Sequence, residues 1–232
     1  MANKVSIILS TYNEAKVIEK TIDEIFKHID GVEIILVDDS STDGTLEKVK
    51  KINNPNLKIY SRKFRGLASA FLLGLINSSG DVVGWIDSNM DSLVKMLPEM
   101  IKKLSSNDIV LLSRYVEGGS DQRTQSRIIT SKIINIICRV FLSSKIKDYT
   151  SGMFVMKREG LNCVVPIGYG HGDFFIEFIY QAKKRGLKIL EVPCVQPPDQ
   201  ETLSKTAPNI FRFLKVGFFY LLRVFQAMLN RK

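Results

Sequence analysis

The feature that most constrains the fold of this chain is the alternation of short apolar segments with segments of helical periodicity between residues 5 and 113. Runs rich in β-branched residues predict strands at residues 5–10, 33–37, 57–60, 82–86 and 109–113. Between them, apolar residues recur at three- and four-residue steps, which predicts helices. Strands that alternate with single helices form mostly parallel sheets. The sequence therefore predicts an α/β fold with helices on both faces of the sheet.

The second half of the chain contains two longer apolar helices. Residues 131–142 and 209–229 are rich in Ile, Val, Leu and Phe, and basic side chains interrupt both segments. Between them, the sequence predicts short strands at residues 154–156 and 189–192 and a helix at residues 174–182. We expect one domain over residues 1–208, followed by a separate amphipathic helix over residues 209–232.

The positive charge of the chain is concentrated in two windows. The 33 Lys and Arg residues exceed the 24 Asp and Glu residues by nine. Residues 121–147 and residues 201–232 each carry six basic side chains and one acidic one, so together they hold +10 and the rest of the chain −1. This distribution excludes the uniform basic surface of a nucleic-acid-binding protein, and it places the charge beside the two apolar helices.

Polar clusters follow three of the predicted strands. Tyr12 and Glu14 follow the first strand, Asp38 and Asp39 follow the second, and Asp87 begins the cluster after the fourth. The carboxyl ends of parallel strands meet at one edge of a sheet, where ligands bind in this fold class. Helix capping explains single polar residues at such positions, but it does not require paired carboxylates. The sequence therefore predicts a ligand site at this edge.

The segment after the fourth strand also has the composition of a metal site. Asp87, Asn89 and Asp91 carry oxygen ligands at alternate positions, which an extended segment places on one side. Mg²⁺ and Mn²⁺ prefer such ligands and usually retain bonds to water and to substrate phosphates. The sequence therefore predicts a Mg²⁺ or Mn²⁺ site formed by these three residues.

Neither the cysteines nor the beginning of the sequence indicates an exported protein. Cys138, Cys163 and Cys194 lack the spacing of a zinc site or a disulfide framework. The first residues lack a signal-peptide pattern, and no uninterrupted apolar stretch of about 18 residues predicts a membrane span. We expect the chain to reside on the cytosolic side of any membrane.

Three of these segments, taken in order, resemble the motifs of a known family. Residues 10–14 (Ser-Thr-Tyr-Asn-Glu), residues 37–45 and residues 87–89 resemble the nucleotide-sugar-binding motifs of family-2 glycosyltransferases with a GT-A fold. Further segments resemble the dolichyl-phosphate mannose synthase branch, namely residues 113–119, 127–135, 148–152, 186–193 and 204–205. The resemblance spans about residues 4–206.

The resemblance implies an inverting, metal-dependent transfer of a hexose to dolichyl or another polyprenyl phosphate, with GDP-mannose as the expected donor. The alternatives are UDP-glucose as the donor, a family-2 transferase that extends a glycan, and a catalytically silent scaffold of the same fold. The resemblance also divides the domain into a nucleotide-sugar half over about residues 1–115 and an acceptor half over about residues 116–208.

The same motifs imply roles for individual residues. Catalytic roles fall to Asp87, Asp91, Arg114 and Arg127, and the implied metal ligands are Asp87, Asn89 and Asp91. Substrate binding is implied for a larger set of positions: Thr11, Tyr12, Glu14, Asp38, Asp39, Arg62, Gly66, Asp87, Ser88, Arg114, Arg127, Ser204 and Lys205. A guanidinium binds phosphate through two donors, so Arg114 and Arg127 are the expected phosphate ligands. Arg123 is expected on the solvated surface.

Two positions depart from the family pattern. Asn89 replaces the second aspartate of the usual Asp-x-Asp, which removes one charge that Asp91 is expected to restore. The arginine and glycine that usually precede Ser204 and Lys205 are absent. The chain therefore either relies on Lys205 for that phosphate contact or lacks it.

The apolar, basic helices predict contact with a membrane surface. Arg212, Lys215 and Arg223 are spaced to share one face of the last helix, with aromatic residues opposite. A lipid-linked acceptor would account for this arrangement, so we expect a peripheral protein on the cytoplasmic face of a membrane. The resemblance also leaves room for an integral-membrane partner subunit. The alternative is a last helix that packs against the domain or against a partner.

Overall fold

A computed structural model describes residues 4–198 and 210–230, with the backbone alone described for residues 210–216. Its strands are β1 (Val5–Thr11), β2 (Glu33–Asp38), β3 (Leu57–Ser61), β4 (Val82–Asp87), β5 (Ile109–Ser113), β6 (Ser120–Asp121), β7 (Met153–Lys157), β8 (Ile189–Pro193) and β9 (Val195–Gln196). Seven of these strands form one sheet in the order β3-β2-β1-β4-β7-β5-β8, and β6 pairs with β9 in a second, two-stranded sheet. In the larger sheet, β7 alone is antiparallel to its neighbours.

Helices cover both faces of this sheet. They are α1 (Ile18–His28), α2 (Thr45–Lys50), α3 (Leu67–Asn77), α4 (Leu97–Lys103), α5 (Gln125–Phe141), α6 (Phe174–Lys184) and α7 (Ile210–Leu229). Alternate residues of each strand enter two separate apolar cores, as the pleat requires. In β1, for example, Ile7 and Leu9 face α1 and α4, whereas Ile8 faces α3 and α6. The predicted α/β fold with a mostly parallel sheet is confirmed.

Two predicted helices have different limits in the structure. Residues 93–104 divide into a 3₁₀ helix, Asp91–Met96, and α4, whose first turn contains Pro98. A proline lacks the N–H that a helix interior requires but is tolerated in the first turn, which explains why a new helix begins there. The helix predicted from residue 131 begins earlier, at Gln125, so that Arg127 lies in its first turn.

The last helix packs against the domain, which was the alternative to a helix that contacts only the membrane. α7 contacts α5 and α6, and its side chains Arg223, Val224 and Ala227 are buried. The predicted cationic face is wrong for Arg223, because that side chain points inward. The side chains of Arg212 and Lys215 lie outside the described part of the structure. The opposite face of α7 is exposed and apolar, with Phe218, Leu221, Leu222, Phe225 and Leu229.

A buried carboxylate links three strands at the edge of the sheet away from the polar strand ends. Glu33, at the start of β2, accepts hydrogen bonds from Lys58 Nζ (2.6 Å), Ser6 Oγ (2.5 Å) and the Ser79 backbone N–H (2.8 Å). Burial by itself would raise the pKa of Glu33, but these hydrogen bonds outweigh it and lower the pKa from 4.5 to about 2. The ionised form of Glu33 therefore stabilises the fold.

Replacing Glu33 should make stability less dependent on acid pH. Because the pKa of Glu33 is lower in the folded protein than in the unfolded chain, the ionised carboxylate stabilises the fold above about pH 4.5. This contribution is lost as the pH falls toward 2. We expect Glu33→Gln to lower the free energy of unfolding at pH 7 by on the order of 3 kcal/mol and to have little effect near pH 2. Urea unfolding at several pH values measures this. Glu99→Gln, at an exposed pair with Lys103, is the control and should change little. An equal loss at both pH extremes would contradict the assignment.

Candidate active site

The three polar strand ends lie side by side in the structure, as the sequence predicted. β1 lies between β2 and β4, and Thr11 is in register with Asp38 while Ser10 is in register with Asp87. The loops that follow these strands therefore open at one edge of the sheet. This edge contains most of the residues that were predicted to bind the donor.

The loops after β1 and β2 are joined by hydrogen bonds. Asp38 is fully buried and accepts hydrogen bonds from Thr11 Oγ1 (3.1 Å) and from the backbone N–H of Ser41 (3.0 Å). Asn13 has a positive φ of 57° and accepts a hydrogen bond from the Thr42 N–H at 2.8 Å. Asp38 therefore shapes the loop around the site, and its carboxylate is already satisfied by protein donors.

The structure brings together three predicted donor-binding residues that are separate in the sequence, namely Asp39, Arg62 and Gly66. The Asp39 carboxylate accepts hydrogen bonds from Arg62 Nε and Nη2 at 2.5 and 3.1 Å, and from the Gly66 N–H at 2.9 Å. The sequence analysis missed Arg65, whose guanidinium carbon lies 3.5 Å from the centre of the Tyr12 ring. A planar cation at this distance stacks on the ring face, so the pair joins the loop after β1 to the loop after β3.

Asp87 lies at the centre of the strand-end cluster. Its backbone N–H donates to the carbonyl of Gly152 at 3.1 Å, and a Cβ at position 152 would come within 2.6 Å of Asp87 Oδ2. Only glycine leaves room there for the carboxylate. The pKa of Asp87 is raised from 3.8 to about 6, mainly by burial and in smaller part by the charge of Glu14, while Trp85, Arg123 and Arg114 act in the opposite direction. Asp87 is therefore within electrostatic reach of acidic Glu14 and of two arginines.

The predicted metal triad is only partly assembled. Asn89 is exposed in the turn after β4, whereas Asp91 is buried and its carboxylate forms an ion pair with Lys20 Nζ of α1 at 2.6 Å. Thr21 of α1 also donates to the backbone carbonyl of Ser88 at 2.7 Å, which anchors this turn to the helix. Within residues 4–198 and 217–230, no three acidic, His or Cys side chains converge as a metal site. The partner of Asp91 is therefore Lys20 of α1, which lies 71 residues earlier in the chain and could not be inferred from the sequence around Asp91.

Arg114, which the sequence predicts to bind phosphate, lies in a buried ion cluster and contacts protein carboxylates. Its Nε and Nη2 donate to the two oxygens of Asp148 at 2.8 and 2.7 Å, and Nη2 also donates to Thr150 Oγ1 at 2.7 Å. Asp121 adds a second carboxylate at 3.5 Å from Nη1. The Arg114 side chain is 5% exposed, and although burial opposes the charge, the carboxylates raise the pKa of Arg114. Arg114 therefore joins the end of β5 to the loop before β7.

Arg123 is the arginine for which the sequence-based expectation is wrong. It was expected on the solvated surface, but its Nε and Nη2 bind the two oxygens of Asp121 at 2.9 and 2.7 Å, beside Arg114. It also lowers the pKa of Asp87. In the sequence, only the two-residue spacing of Asp121 and Arg123 indicates this ion pair. That spacing does not show that β6, which ends at Asp121, places the pair beside Arg114.

The beginning of α5 continues this cationic surface. Arg127 is partly exposed in the first turn, one turn before Ser131, which lies 3.1 Å from Thr150 Oγ1. Asn135 also donates to Thr150 Oγ1 at 2.9 Å, so α5 is fixed against the Arg114 cluster. Among residues 4–198 and 217–230, the buried hydroxyl of Tyr115 has no hydrogen-bond partner.

The remaining predicted residues fall into two groups. Glu14 and Ser88 lie at the strand-end cluster, where the Glu14 backbone N–H donates to Thr45 Oγ1 at 2.8 Å. Ser204 and Lys205 lie outside the residues that the structure describes.

Comparison with known proteins identifies the family and the fold. The model of the family described as glycosyl transferase family 2 matches residues 6–165. The chain is 33% identical to the dolichol-phosphate mannosyltransferase of Pyrococcus furiosus over 82% of its length and 55% of that relative. It is 25% identical to the undecaprenyl-phosphate mannosyltransferase of Micrococcus luteus, over 82% of each chain. A third relative, glycosyltransferase AglD of Haloferax volcanii, is 25% identical over 86% of this chain and 34% of its own.

The chain thus spans about half of the first relative and a third of the AglD relative. Among solved structures, glucosyl-3-phosphoglycerate synthase of Mycobacterium tuberculosis with Mn²⁺, UDP and phosphoglyceric acid superposes with a TM-score of 0.76 at 19% identity. That match covers 98% of this chain and 79% of the synthase. The complex of the synthase with Mn²⁺, UDP-glucose and phosphoglyceric acid gives a TM-score of 0.73 at 20% identity, over 98% and 80% of the two chains. This similarity shows a GT-A fold.

Proposed function

This chain belongs to glycosyl transferase family 2, and we propose that it transfers a hexose from a nucleotide diphosphate sugar to a polyprenyl phosphate with inversion at the anomeric carbon. Mannose from GDP-mannose is the proposed sugar, in line with the names of the Pyrococcus and Micrococcus relatives. The observation that carries the proposal is that the polar ends of β1, β2 and β4, with Thr11, Asp38 and Asp87, lie side by side at one edge of the sheet.

The donor fits the edge of the sheet formed by β1, β2 and β4. The stacked pair of Tyr12 and Arg65 offers a planar surface to a nucleobase. Asp39 offers carboxylate oxygens to base or ribose donors if Arg62 releases one of them. Aromatic rings and carboxylates are common partners of these groups. The diphosphate would then extend along the sheet edge toward Asp87.

A divalent cation fits this edge with a reduced set of protein ligands. The Asp87 side chain is half-buried, and burial raises its pKa, a shift that a cation bound beside the carboxylate would oppose. Asp87 and Asn89 would hold Mg²⁺ or Mn²⁺, since such ions need only one or two protein ligands when substrate phosphates complete the shell. When bound, the ion stabilises negative charge on the diphosphate. Asp91 is excluded from the proposed ligands because it binds Lys20.

The acceptor fits the cationic surface of Arg123 and Arg127. A phosphate monoester is already ionised at neutral pH, so it can attack without a strong general base. Its oxygen forms the new bond to the anomeric carbon as the bond from that carbon to the diphosphate oxygen breaks, and the nucleoside diphosphate leaves on the opposite face. The arginines orient the acceptor phosphate and offset the repulsion between two anions.

The exposed faces of α5 and α7 support a lipid acceptor. On α5, Ile129, Ile133, Ile136 and Val140 form an exposed stripe, at the helix that carries Arg127 in its first turn. Apolar stripes of this size on a surface helix are typical of contact with a membrane. No helix within residues 4–198 and 210–230 is long and apolar enough to cross a bilayer. From the exposed apolar faces of α5 and α7, we propose peripheral binding at the cytoplasmic face of a membrane.

Polar substitutions on α5 should release the protein from lipid. The double variant Ile133→Ser, Ile136→Ser removes apolar area from two exposed positions, so the fold should remain intact. Each replaced side chain should remove about 1 kcal/mol or more of the free energy of binding to lipid. We therefore expect binding to anionic liposomes to weaken by at least tenfold. Sedimentation with liposomes measures this. Ile76→Ser, at an even more exposed position on another helix, α3, is the control and should bind as the natural chain does. Equal binding by both variants would contradict the membrane assignment.

An assay with purified protein tests the function. It would combine GDP-mannose or UDP-glucose with geranyl phosphate and with a long polyprenyl phosphate in liposomes, each with Mn²⁺ and with a chelator. We expect metal-dependent transfer to both acceptors, and faster transfer from GDP-mannose. Transfer from UDP-glucose alone would favour the glucose alternative, and transfer to a glycan but not to lipid phosphate would favour the extending alternative. Nucleotide binding without transfer would identify a silent scaffold.

A further inference from the structure

A groove between α6 and the end of α7 has no role in the proposed function. The segment of residues 164–167 completes its lining, and its volume is about 470 Å³. Pockets of this size hold small-molecule ligands. Val164 and Phe178 are buried on the lining, whereas Val165 and Leu229 are 59% and 64% exposed. This α6–α7 groove is therefore largely apolar and opens to the surface.

One buried amide on the lining of the groove lacks a partner. Gln181 is 6% exposed, and its Nε2 donates to the backbone carbonyl of Asn230 at 3.2 Å. This bond determines the orientation of the amide, since the reverse orientation would place two oxygens against each other. Within residues 4–198 and 217–230, the side-chain oxygen of Gln181 accepts no hydrogen bond. A buried acceptor without a donor is unfavourable, so a ligand that carries a hydroxyl group would satisfy it.

The charged residues on the lining favour an anionic ligand. The carboxylate of Glu177 already accepts hydrogen bonds at both oxygens, from Asn230 Nδ2 at 2.6 Å and from Arg223 Nη1 of α7 at 3.2 Å. Arg185, which is exposed directly after α6, also lines the groove. Cations are common at the end of a helix because they complement the helix dipole, but this guanidinium borders an apolar groove as well. An anion at the groove can therefore pair with Arg185.

The groove adjoins the face of α7 that is proposed to contact the membrane. Leu229 belongs both to the lining of the groove and to the exposed apolar face of α7. Phe225 lies one turn earlier on that face and is also exposed. A hydrocarbon chain that lies on Leu229 can therefore continue along the apolar surface of the helix.

We propose that the α6–α7 groove binds one membrane phospholipid whose headgroup is anionic and carries a hydroxyl. A phosphate oxygen pairs with Arg185, a headgroup hydroxyl donates a hydrogen bond to the side-chain oxygen of Gln181, and a hydrocarbon chain packs on the apolar lining. The inference rests on the proposed function, because it takes α7 to lie at a membrane. It adds a phospholipid site to that contact, apart from the acceptor phosphate proposed at Arg123 and Arg127.

Binding of a soluble, short-chain phospholipid tests the site. Calorimetry would titrate the chain with dihexanoyl phosphatidylglycerol below the concentration at which this lipid forms micelles, and we expect saturable binding. Arg185→Glu should weaken it by about tenfold or more, because repulsion replaces an ion pair. Arg139→Glu, the same change at an exposed position of α5, is the matched control and should bind as the natural chain does. Absence of saturable binding, or equal weakening in the two variants, would reject the proposal.

A second lipid tests the contact with Gln181. Dihexanoyl phosphatidylmethanol carries the same charge but no free headgroup hydroxyl, so it should bind the natural chain about threefold or more weakly than phosphatidylglycerol does. In Gln181→Met, which keeps a similar side-chain volume, the two lipids should bind alike. Equal binding of both lipids to the natural chain, or a difference that persists in Gln181→Met, would overturn this contact.

The double variant Ile133→Ser, Ile136→Ser separates this site from the proposed function. It should bind the soluble lipid as the natural chain does, even though it should leave liposomes. Saturable, Arg185-dependent binding of lipid by a natural chain that transfers no sugar would reject the proposed function and leave the groove assignment intact.

Two results would assign the groove to another occupant and overturn the proposal. Tighter binding of geranyl phosphate than of phosphatidylglycerol, with the same dependence on Arg185, would show a second site for the acceptor. A natural chain that sediments as a dimer and becomes a monomer in Val165→Ser would show that a second copy fills the groove.

Discussion

Asp87→Asn should lower transfer by about 10²- to 10³-fold and at the same time raise the Tm of the metal-free protein. The loss of activity follows because this carboxylate is the main proposed ligand of the cation that stabilises the leaving diphosphate. The gain in stability follows because burial raises the pKa of Asp87 to about 6, so the charged form is less favourable in the folded protein than in the unfolded chain. Removing the charge should add on the order of 2 kcal/mol at pH 7.

The sign of this effect depends on pH. A folded-state pKa above the ordinary value of 3.8 means that ionised Asp87 destabilises the fold above about pH 6, and that the penalty disappears below 3.8. Thermal unfolding at pH 7.5 and pH 4 without metal, with single-turnover transfer rates, measures both effects. Asp91→Asn is the matched control. It should lower the Tm slightly by breaking the Lys20 pair, and it should retain most transfer. If Asp91→Asn lost more transfer activity than Asp87→Asn, Asp91 would be a metal ligand and Asp87 would not.

Arg114→Ala should unfold the protein or come close to it. The variant would leave Asp148, which is fully buried, without the guanidinium that offsets its charge, whereas Asp121 would keep its ion pair with Arg123. Removing one partner of a buried ion pair costs about 3–5 kcal/mol, a large part of the 5–15 kcal/mol that holds a typical domain together. Urea unfolding followed by circular dichroism measures the loss.

Two further variants separate stability from phosphate binding. In the double variant Arg114→Met, Asp148→Asn, both buried charges are absent, so part of the lost stability should return. Arg123→Ala, whose side chain is 21% exposed, should cost far less stability but should weaken transfer, since it removes a cation beside Asp87. If Arg114→Ala folds normally and loses only transfer, Arg114 is a phosphate ligand, as its place in the family motif implies.

The pattern of the sequence was sufficient for the fold and for the edge of the sheet at which the site lies. Strand and helix periodicity are local properties, and parallel strands bring their carboxyl ends together whatever the details of packing. The local pattern alone therefore predicts that Thr11, Asp38 and Asp87 lie side by side, and the register of β1, β2 and β4 confirms it. The resemblance to family 2 is confirmed by the family model that matches residues 6–165, a range that contains these loops.

The partners of the charged residues were decided by the tertiary structure alone. Arg114 binds Asp148, 34 residues away, Arg223 binds Asp173, 50 residues away, and Asp91 binds Lys20 on α1. A charged side chain has no preferred partner in the sequence, because an ion pair depends on distance and burial, which packing determines. The sequence therefore determined which edge of the sheet carries the polar strand ends. Only the fold decided which arginines remain near the site surface and which hold the domain together.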